Sequence, residues 1–210
     1  PPLSAALDTF QELAERIGAD RLVWRYDPIV LSQEMDSSFH ANKFAAISRA
    51  LRHYTRRVVI SIVDPYRNAT RRLAKLEGQG LSPLDIRTEH EQLADLMQSL
   101  AQSAAANDME IVSCAEEIDL EPYAIRPGRC IDDDLIRRVF DIEVGAAKDP
   151  HQRAACGCVP SKDIGMYTTC LFGCQYCYAT SSFAQARRNY DTHDPTSPSL
   201  VGRFEAAGPA

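Results

Sequence analysis

Apolar and polar residues alternate along the chain in two patterns, one typical of helices and the other typical of buried strands. Apolar residues that recur every three or four positions predict amphipathic helices, because this spacing places them on one face. The pattern predicts helices over residues 3–17, 39–54, 67–76, 82–106 and 134–140. Short apolar runs, the clearest of them rich in β-branched residues, predict buried strands over residues 21–26, 57–63 and 109–114.

Turn-forming residues mark where several of these elements should begin and end. Asp27 and Pro28 predict the end of the first strand, because this dipeptide commonly starts a turn. Ser82 and Pro83 predict the start of the long fourth helix, with a serine cap and a proline in the first turn. The side chains of that helix predicted to face the core are Leu93, Leu96, Met97 and Leu100.

Helices and strands follow one another in turn through the first half of the chain, which predicts an α/β fold. Buried strands joined by helices form parallel β/α units with right-handed connections. A closed TIM barrel has eight such strands, so three strands predict a partial or truncated TIM-like β/α barrel. The chain also begins with Pro1 and Pro2 instead of methionine, from which we expect part of the N-terminal region to be missing.

Beyond residue 118 the regular pattern gives way to an irregular segment that contains most of the cysteines. We therefore divide the chain into β/α units over residues 1–118 and a Cys-rich segment over residues 119–210. Proline and glycine recur throughout that segment, so it gains little from its own packing. We expect it to pack on the same domain and to be held by a bound metal, because metal binding contributes directly to folding.

Composition limits the classes of function. The 210 residues are 45% hydrophobic, which is enough for a buried core. A net charge of −6 at pH 7 disfavours nonspecific nucleic-acid binding, which requires a basic surface. The chain has no apolar run of membrane-spanning length and no secretion signal, so we expect a cytoplasmic protein with reduced thiols. The seven cysteines are an odd number, which disfavours a complete disulfide framework.

Polar residues follow each predicted strand. They are Asp27 after the first strand, Asp64 and Arg67 after the second, and Glu116 after the third. Parallel β/α folds place their sites at the carboxyl ends of the strands, so these residues are predicted to line one pocket for a cofactor or small molecule. Turn formation is the competing interpretation for the two aspartates.

Three cysteines lie close together near the end of the chain, with the spacing C-x3-C-x2-C. Cys170, Cys174 and Cys177 fall within eight residues, and Tyr176 directly precedes the third. Three thiolates on one tight loop favour an iron–sulfur cluster with one open iron, beside which Tyr176 is placed to stack on an adenine. A zinc site that pairs the 156–158 segment with the last two of these cysteines is the competing interpretation.

The other four cysteines predict a second site. Cys114 ends the third strand, Cys130 follows an irregular stretch, and Cys156 and Cys158 are separated by one residue. Four thiolates are sufficient to close a structural zinc site or an auxiliary cluster. Buried cysteines without a ligand are the alternative, since cysteine is among the most buried residue types.

The main cysteine loop resembles a known motif. Residues 167–179, which read YTTCLFGCQYCYA, resemble the cluster loop of radical S-adenosylmethionine enzymes, in particular that of the spore photoproduct lyase type. The chain as a whole resembles the bacterial family called domain of unknown function 1848, whose members carry a further N-terminal portion. The stretches that carry this resemblance are residues 24–28, 59–64, 113–119, 156–158, 163–165 and 193–198.

The resemblance implies a set of roles for the loop. Cys170, Cys174 and Cys177 would hold a [4Fe–4S] cluster whose open iron binds S-adenosylmethionine, with Tyr176 against the adenine. One-electron reduction would then generate a deoxyadenosyl radical, which requires an electron donor and a substrate of unassigned identity. A zinc-stabilised binding module without catalysis and an electron-transfer iron–sulfur protein are the alternative functions.

Overall fold

A computed structural model describes residues 2–64, 66–79, 84, 86 and 90–202. The chain divides into two compact units. The first, which we call the sheet unit, comprises Pro1–Val63 and Pro83–Ser161. The second, the loop unit, comprises Asp64–Ser82 and Lys162–Ala210.

The sheet unit contains four parallel strands. They are β1 (Val23–Ile29), β2 (Arg57–Ile62), β3 (Glu110–Cys114) and β4 (Arg126–Gly128), and they lie side by side in that order. This confirms a mixed α/β fold with a parallel sheet. The described strands form an open sheet, so the TIM-like barrel stays a prediction. The sequence pattern missed β4, because this three-residue strand contains proline and glycine and has no apolar run.

The predicted end of the first strand is wrong. Strand β1 continues through Asp27 and Pro28 to Ile29, and its register against β2 shifts between Tyr26 and Ile29. Proline has no backbone N–H to give to a sheet, and it is tolerated where the ladder is already interrupted. The irregularity in β1 therefore accommodates a residue that would otherwise end the strand.

Six α-helices are present in the described part of the chain. They are α1 (Leu3–Ile17), α2 (Ser37–Ala50), α3 (Arg67–Leu73), α4 (His90–Ala105), α5 (Asp133–Phe140) and α6 (Phe183–Asp191). The second helix starts earlier than predicted, because Asp36 caps it by accepting the N–H of Phe39 at 2.7 Å, and it also ends earlier, at Ala50. The predicted cap at Ser82 and Pro83 lies outside the described residues. None of these helices combines the length and apolar character needed to cross a membrane.

One face of the sheet is apolar and packs against helices. Trp24, Val58, Ile60 and Ile111 belong to a single buried cluster that also includes Phe44 of α2. The stripe predicted for α4 is confirmed, since all four of its side chains are buried in this cluster. Full burial of a large apolar side chain contributes about 1.5–3 kcal/mol, so this face supplies much of the stability of the sheet unit.

The opposite face of the sheet carries the charged side chains, and we call it the polar face although Val59 and Val112 are also buried on it. Arg57 is only 7% exposed, and it donates to Glu110 Oε2 at 2.6 Å and to Asp132 Oδ2 at 2.5 Å. Asp132 also caps α5 by accepting the N–H groups of Asp134 and Leu135. This ionic network fixes the start of α5 to β2 and β3, on the face that also carries Arg25 and Cys114.

Candidate thiolate sites

The three clustered cysteines lie on a short closed loop of the loop unit. The N–H of Thr168 donates to the carbonyl oxygen of Ala179 at 3.0 Å, which closes the loop at its base. The N–H of Cys177 donates to the carbonyl oxygen of Cys174 at 3.1 Å, which forms a turn between the second and third thiols. Gly173 has a φ of 70°, a left-handed conformation that glycine adopts without steric cost.

Arg72 of α3 fastens this loop from within the same unit. Its Nε donates to the carbonyl oxygen of Gln175 at 3.0 Å and its Nη1 to that of Thr180 at 2.9 Å, while Nη2 donates to that of Cys177. The guanidinium also lies over the ring of Phe183, 5.2 Å from its centroid. A planar guanidinium presents five donors in a rigid fork, so one side chain holds three carbonyl groups in fixed relation.

Sequence reasoning missed Arg72 and selected Arg67 instead. Arg72 directly follows Arg71, which is exposed, and no local pattern in the sequence distinguishes the two arginines. Its partners lie more than 100 residues further along the chain. Only the tertiary structure reveals such a contact.

The three loop thiols are free and differ in their access to solvent. Cys170 is exposed, Cys174 and Cys177 are half-buried, and none forms a disulfide. Across the described residues, no three His, Cys, Asp or Glu side chains are grouped so as to hold one metal ion. A mononuclear zinc site needs its donors around one point, whereas in a cubane each thiolate ligates a different iron. The cluster and the competing zinc site both stay predictions.

Several aromatic side chains surround the loop. Tyr176, predicted to stack on an adenine, is 39% exposed. Tyr178 packs against Tyr66, with ring centroids 5.2 Å apart, and against Tyr167 at 6.2 Å. Sequence reasoning did not select Tyr66, Tyr167 or Tyr178 as site residues, although the last two lie close to the cysteines in sequence. The adenine contact of Tyr176 stays a prediction.

The polar residues predicted to share one pocket are divided between the two units. Asp64 and Arg67 belong to the loop unit, whereas Asp27 and Glu116 belong to the sheet unit. Glu116 Oε1 accepts the N–H of Ile62 at 2.6 Å, so this carboxylate fixes the end of β2. Asp27 forms an ion pair with Arg25.

A cleft of about 550 Å³ in the sheet unit lies elsewhere. It is lined by Val23, Arg57 and Glu110, which begin β1, β2 and β3, together with residues of α1 and α5. The cleft therefore opens at the amino ends of the strands. Parallel β/α folds bind ligands at the carboxyl ends, so this cleft is not the predicted pocket.

Two cysteines of the predicted second site meet on the polar face of the sheet unit. Cys114 ends β3, Cys130 lies two residues beyond β4, and their Sγ atoms are 3.2 Å apart. Gly128 makes this approach possible, because a Cβ at this position would lie 2.5 Å from Cγ2 of Val112. A larger residue would push β4 away from β3 and separate the two thiols.

The other two cysteines of that set are buried beside this pair. Cys158 Sγ accepts the N–H of Cys130 at 3.2 Å and that of Ile131 at 3.4 Å. The carbonyl oxygen of Cys158 accepts a hydrogen bond from the N–H of Asp149. The N–H of the next residue, Val159, donates to the carbonyl oxygen of Ile131. The structure thus brings all four predicted cysteines into one unit, where Cys114 contacts Cys130 and the side chain of Cys156 interacts with that of Cys158.

Arg25 gives this pair an electropositive environment. Its Nη1 lies 2.8 Å from Cys130 Sγ. The hydrogen bond from Cys130 lowers the pKa of Cys114 to about 6, against burial and with help from Arg25. The pKa of Cys130 is raised, because it retains the proton that it shares with Cys114. Burial acts to lower the pKa of Arg25, but its bonds to the two sulfurs raise it overall.

Comparison with known proteins places the chain in a family. A family model described as Domain of unknown function (DUF1848) matches residues 1–179, a range that includes all seven cysteines and the four polar residues predicted at the strand ends. No curated protein and no solved structure gives a significant match. Because the family model covers most of the chain, the protein belongs to the DUF1848 family.

Proposed function

We propose that the protein is an iron–sulfur enzyme of the radical S-adenosylmethionine type, acting on a substrate of unassigned identity. Cys170, Cys174 and Cys177 would hold a [4Fe–4S] cluster, and the parallel sheet would form part of a TIM-like β/α barrel. The observation that carries the proposal is the closed three-thiol loop fastened by Arg72. Its resemblance to radical enzymes supports the type of reaction.

The fastening of the loop suits a site with an open coordination position. Three thiolates from one loop leave one iron of a cubane without a protein ligand. Such a loop has to keep its thiols in place without help from a fourth protein ligand, and Arg72 provides that restraint through the backbone. Its positive charge also offsets part of the negative charge that three thiolates bring to the loop.

The surrounding residues have roles that follow from their chemistry. When bound, a cluster of this kind supplies the electron for reductive cleavage of S-adenosylmethionine. Tyr176 offers an aromatic face to the adenine, and Arg67, which is exposed at the start of α3, offers a cation to the carboxylate of the cofactor. Asp64 belongs to the same unit as these residues.

Anaerobic reconstitution with iron and sulfide tests the proposal. We expect about four iron atoms per chain, with the broad visible absorption of an iron–sulfur cluster. Addition of S-adenosylmethionine and dithionite should perturb the spectrum and yield deoxyadenosine. Cys174→Ala should abolish both the cluster and the product, whereas the matched double variant C114S/C130S should retain them, because those thiols lie in the other unit.

Three results would reject this function or replace it with another. An iron content well below about four per chain in the reconstituted wild-type protein would contradict the cluster. Zinc as the only metal, unchanged under strictly anaerobic conditions, would identify a structural module. A cluster whose spectrum does not respond to S-adenosylmethionine, with a fourth protein thiolate on the last iron, would identify an electron-transfer protein.

A further inference from the structure

The contact between Cys114 and Cys130 lies in the sheet unit and has no part in the proposed cluster. We propose that these two residues form a redox-active dithiol, which undergoes thiol–disulfide exchange with small disulfides. The proposal does not depend on the function assigned to the cysteine loop. It rests on how close the two sulfurs lie, on their access to solvent, and on the cation beside them.

The sulfurs are already close to bonding distance. Their separation of 3.2 Å exceeds a disulfide bond, at about 2.05 Å, by roughly 1 Å. Rotation of the two side chains is enough to close a gap of this size, because pairing of β3 with β4 has already brought the backbones together. Cys130 is exposed and Cys114 is half-buried, so a small disulfide can reach the pair.

Arg25 makes one sulfur of the pair nucleophilic. Reactive cysteines occur in partly exposed, electropositive surroundings, because the thiolate is the nucleophile. The Arg25 guanidinium lies 2.8 Å from Cys130 Sγ and is held in place by its ion pair with Asp27. With the two sulfurs 3.2 Å apart, this cation favours the form in which one of them is a thiolate and the other a thiol.

The two neighbouring cysteines have a different character. Cys156 and Cys158 are both buried. The Cys156 side chain interacts with that of Cys158, away from solvent. Cys158 Sγ also accepts the backbone N–H groups of residues 130 and 131, so it fixes the backbone that carries Cys130. Access to solvent and the neighbouring Arg25 therefore distinguish Cys114 and Cys130 from this buried pair.

The exchange proceeds in two balanced steps. The Cys114 thiolate attacks one sulfur of a disulfide RS–SR, and the other sulfur leaves as RS⁻, which yields a mixed disulfide. Cys130 then loses its proton and attacks Cys114 Sγ, which releases the second RS⁻. The protein dithiol loses two electrons and two protons, and the small disulfide is reduced to two thiols.

Glutathione buffers provide a direct test. The protein is equilibrated anaerobically at graded ratios of reduced to oxidised glutathione, quenched in acid, alkylated, digested and analysed by mass spectrometry. We expect the peptides of Cys114 and Cys130 to become linked, with the loss of two hydrogen atoms, and to separate again in reduced glutathione. In Cys130→Ser, glutathione should remain attached to Cys114, because the second step cannot occur.

Matched variants distinguish chemistry from loss of structure. Cys156→Ser removes a buried neighbouring thiol but neither the reacting pair nor the Cys158 sulfur that holds the backbone of Cys130, so it should still form the disulfide. Arg25→Gln should slow the first step by roughly tenfold or more, since the thiolate loses its cation. Circular dichroism of each variant shows whether the fold is retained.

Four outcomes would overturn the dithiol. They are the absence of a linked peptide at every glutathione ratio, linkage of Cys156 to Cys158 instead, an unchanged rate in folded Arg25→Gln, and a metal on these thiols that must be chelated before exchange occurs. Failure of the proposed cluster is a separate result. Cys174→Ala should lose the cluster and keep the exchange, and C114S/C130S should do the reverse.

Discussion

Arg72 offers the sharpest test of how the cysteine loop is held. In Arg72→Met the side chain keeps its apolar stem but loses the hydrogen bonds to the carbonyl groups of Gln175, Cys177 and Thr180. A hydrogen bond to a charged group contributes about 1.5–3 kcal/mol. Because Arg72 is partly exposed, we expect each of its three hydrogen bonds to contribute no more than the lower end of this range. With the lost contact to Phe183 included, we expect the free energy of loop opening to fall by about 3 kcal/mol.

Amide hydrogen exchange of the cluster-free protein measures this quantity. The N–H groups of Thr168 and Cys177 are bonded to carbonyl oxygens within the loop, so they exchange when it opens. At about 1.4 kcal/mol per tenfold change, the expected loss corresponds to roughly 100-fold faster exchange, or to the unprotected rate where this is reached first. Reconstituted Arg72→Met should also retain less iron than the wild type.

Arg71→Met is the matched control, because Arg71 is an exposed arginine on the same helix. It should leave the exchange of the loop amides unchanged, and the amides of α3 should be equally protected in both variants. If Arg72→Met left the loop protected, or if Arg71→Met loosened it to the same extent, the assigned role of Arg72 would be wrong.

Three further predictions concern the sheet unit. Arg57→Met should lower the free energy of unfolding in urea by about 3 kcal/mol at pH 7, because buried Asp132 loses its cation and half-buried Glu110 keeps only its pair with Arg126. The folded-state pKa values of Glu110 and Asp132 are lowered, so the loss of stability in this variant should persist at pH 7 and shrink below about pH 4, where the carboxylates become protonated. A loss of stability that does not change with pH would contradict the pairing. The rate of alkylation of Cys114 should rise with pH around a midpoint near 6, and this midpoint should move to higher pH in Arg25→Gln. An unchanged midpoint would exclude an effect of the cation on the pKa of Cys114. Gly128→Ala should cost about 1–3 kcal/mol and slow disulfide formation, and normal rates would show that β4 is not held by that close approach.

Much of the sheet unit follows from local pattern. The apolar runs around Val59 and Val112 predicted two central strands, because a parallel strand buried on both faces needs no polar alternation. The stripe on α4 predicted its buried face for a similar reason. Strand β4 and helix α6 were missed, since the first is very short and the second carries little apolar periodicity.

The candidate sites depended on information that the sequence pattern lacks. The spacing of Cys170, Cys174 and Cys177 was sufficient to predict a three-thiol loop, because its donors are local. The contact between Cys114 and Cys130 requires the pairing of β3 with β4, and β4 was not predicted. Likewise, the sequence does not reveal which of the adjacent residues Arg71 and Arg72 contacts the loop.

Strand β4 is the shortest strand and lies at one edge of the described sheet, where few backbone hydrogen bonds hold it. The two cysteines beside it are 16 residues apart in sequence, and a covalent link between them would close a loop that contains the whole strand. A cross-link over a loop of this length removes conformational entropy from the unfolded chain equivalent to about 3 kcal/mol. Oxidation of the two cysteines would therefore form a reversible cross-link that stabilises β4 against separation from β3.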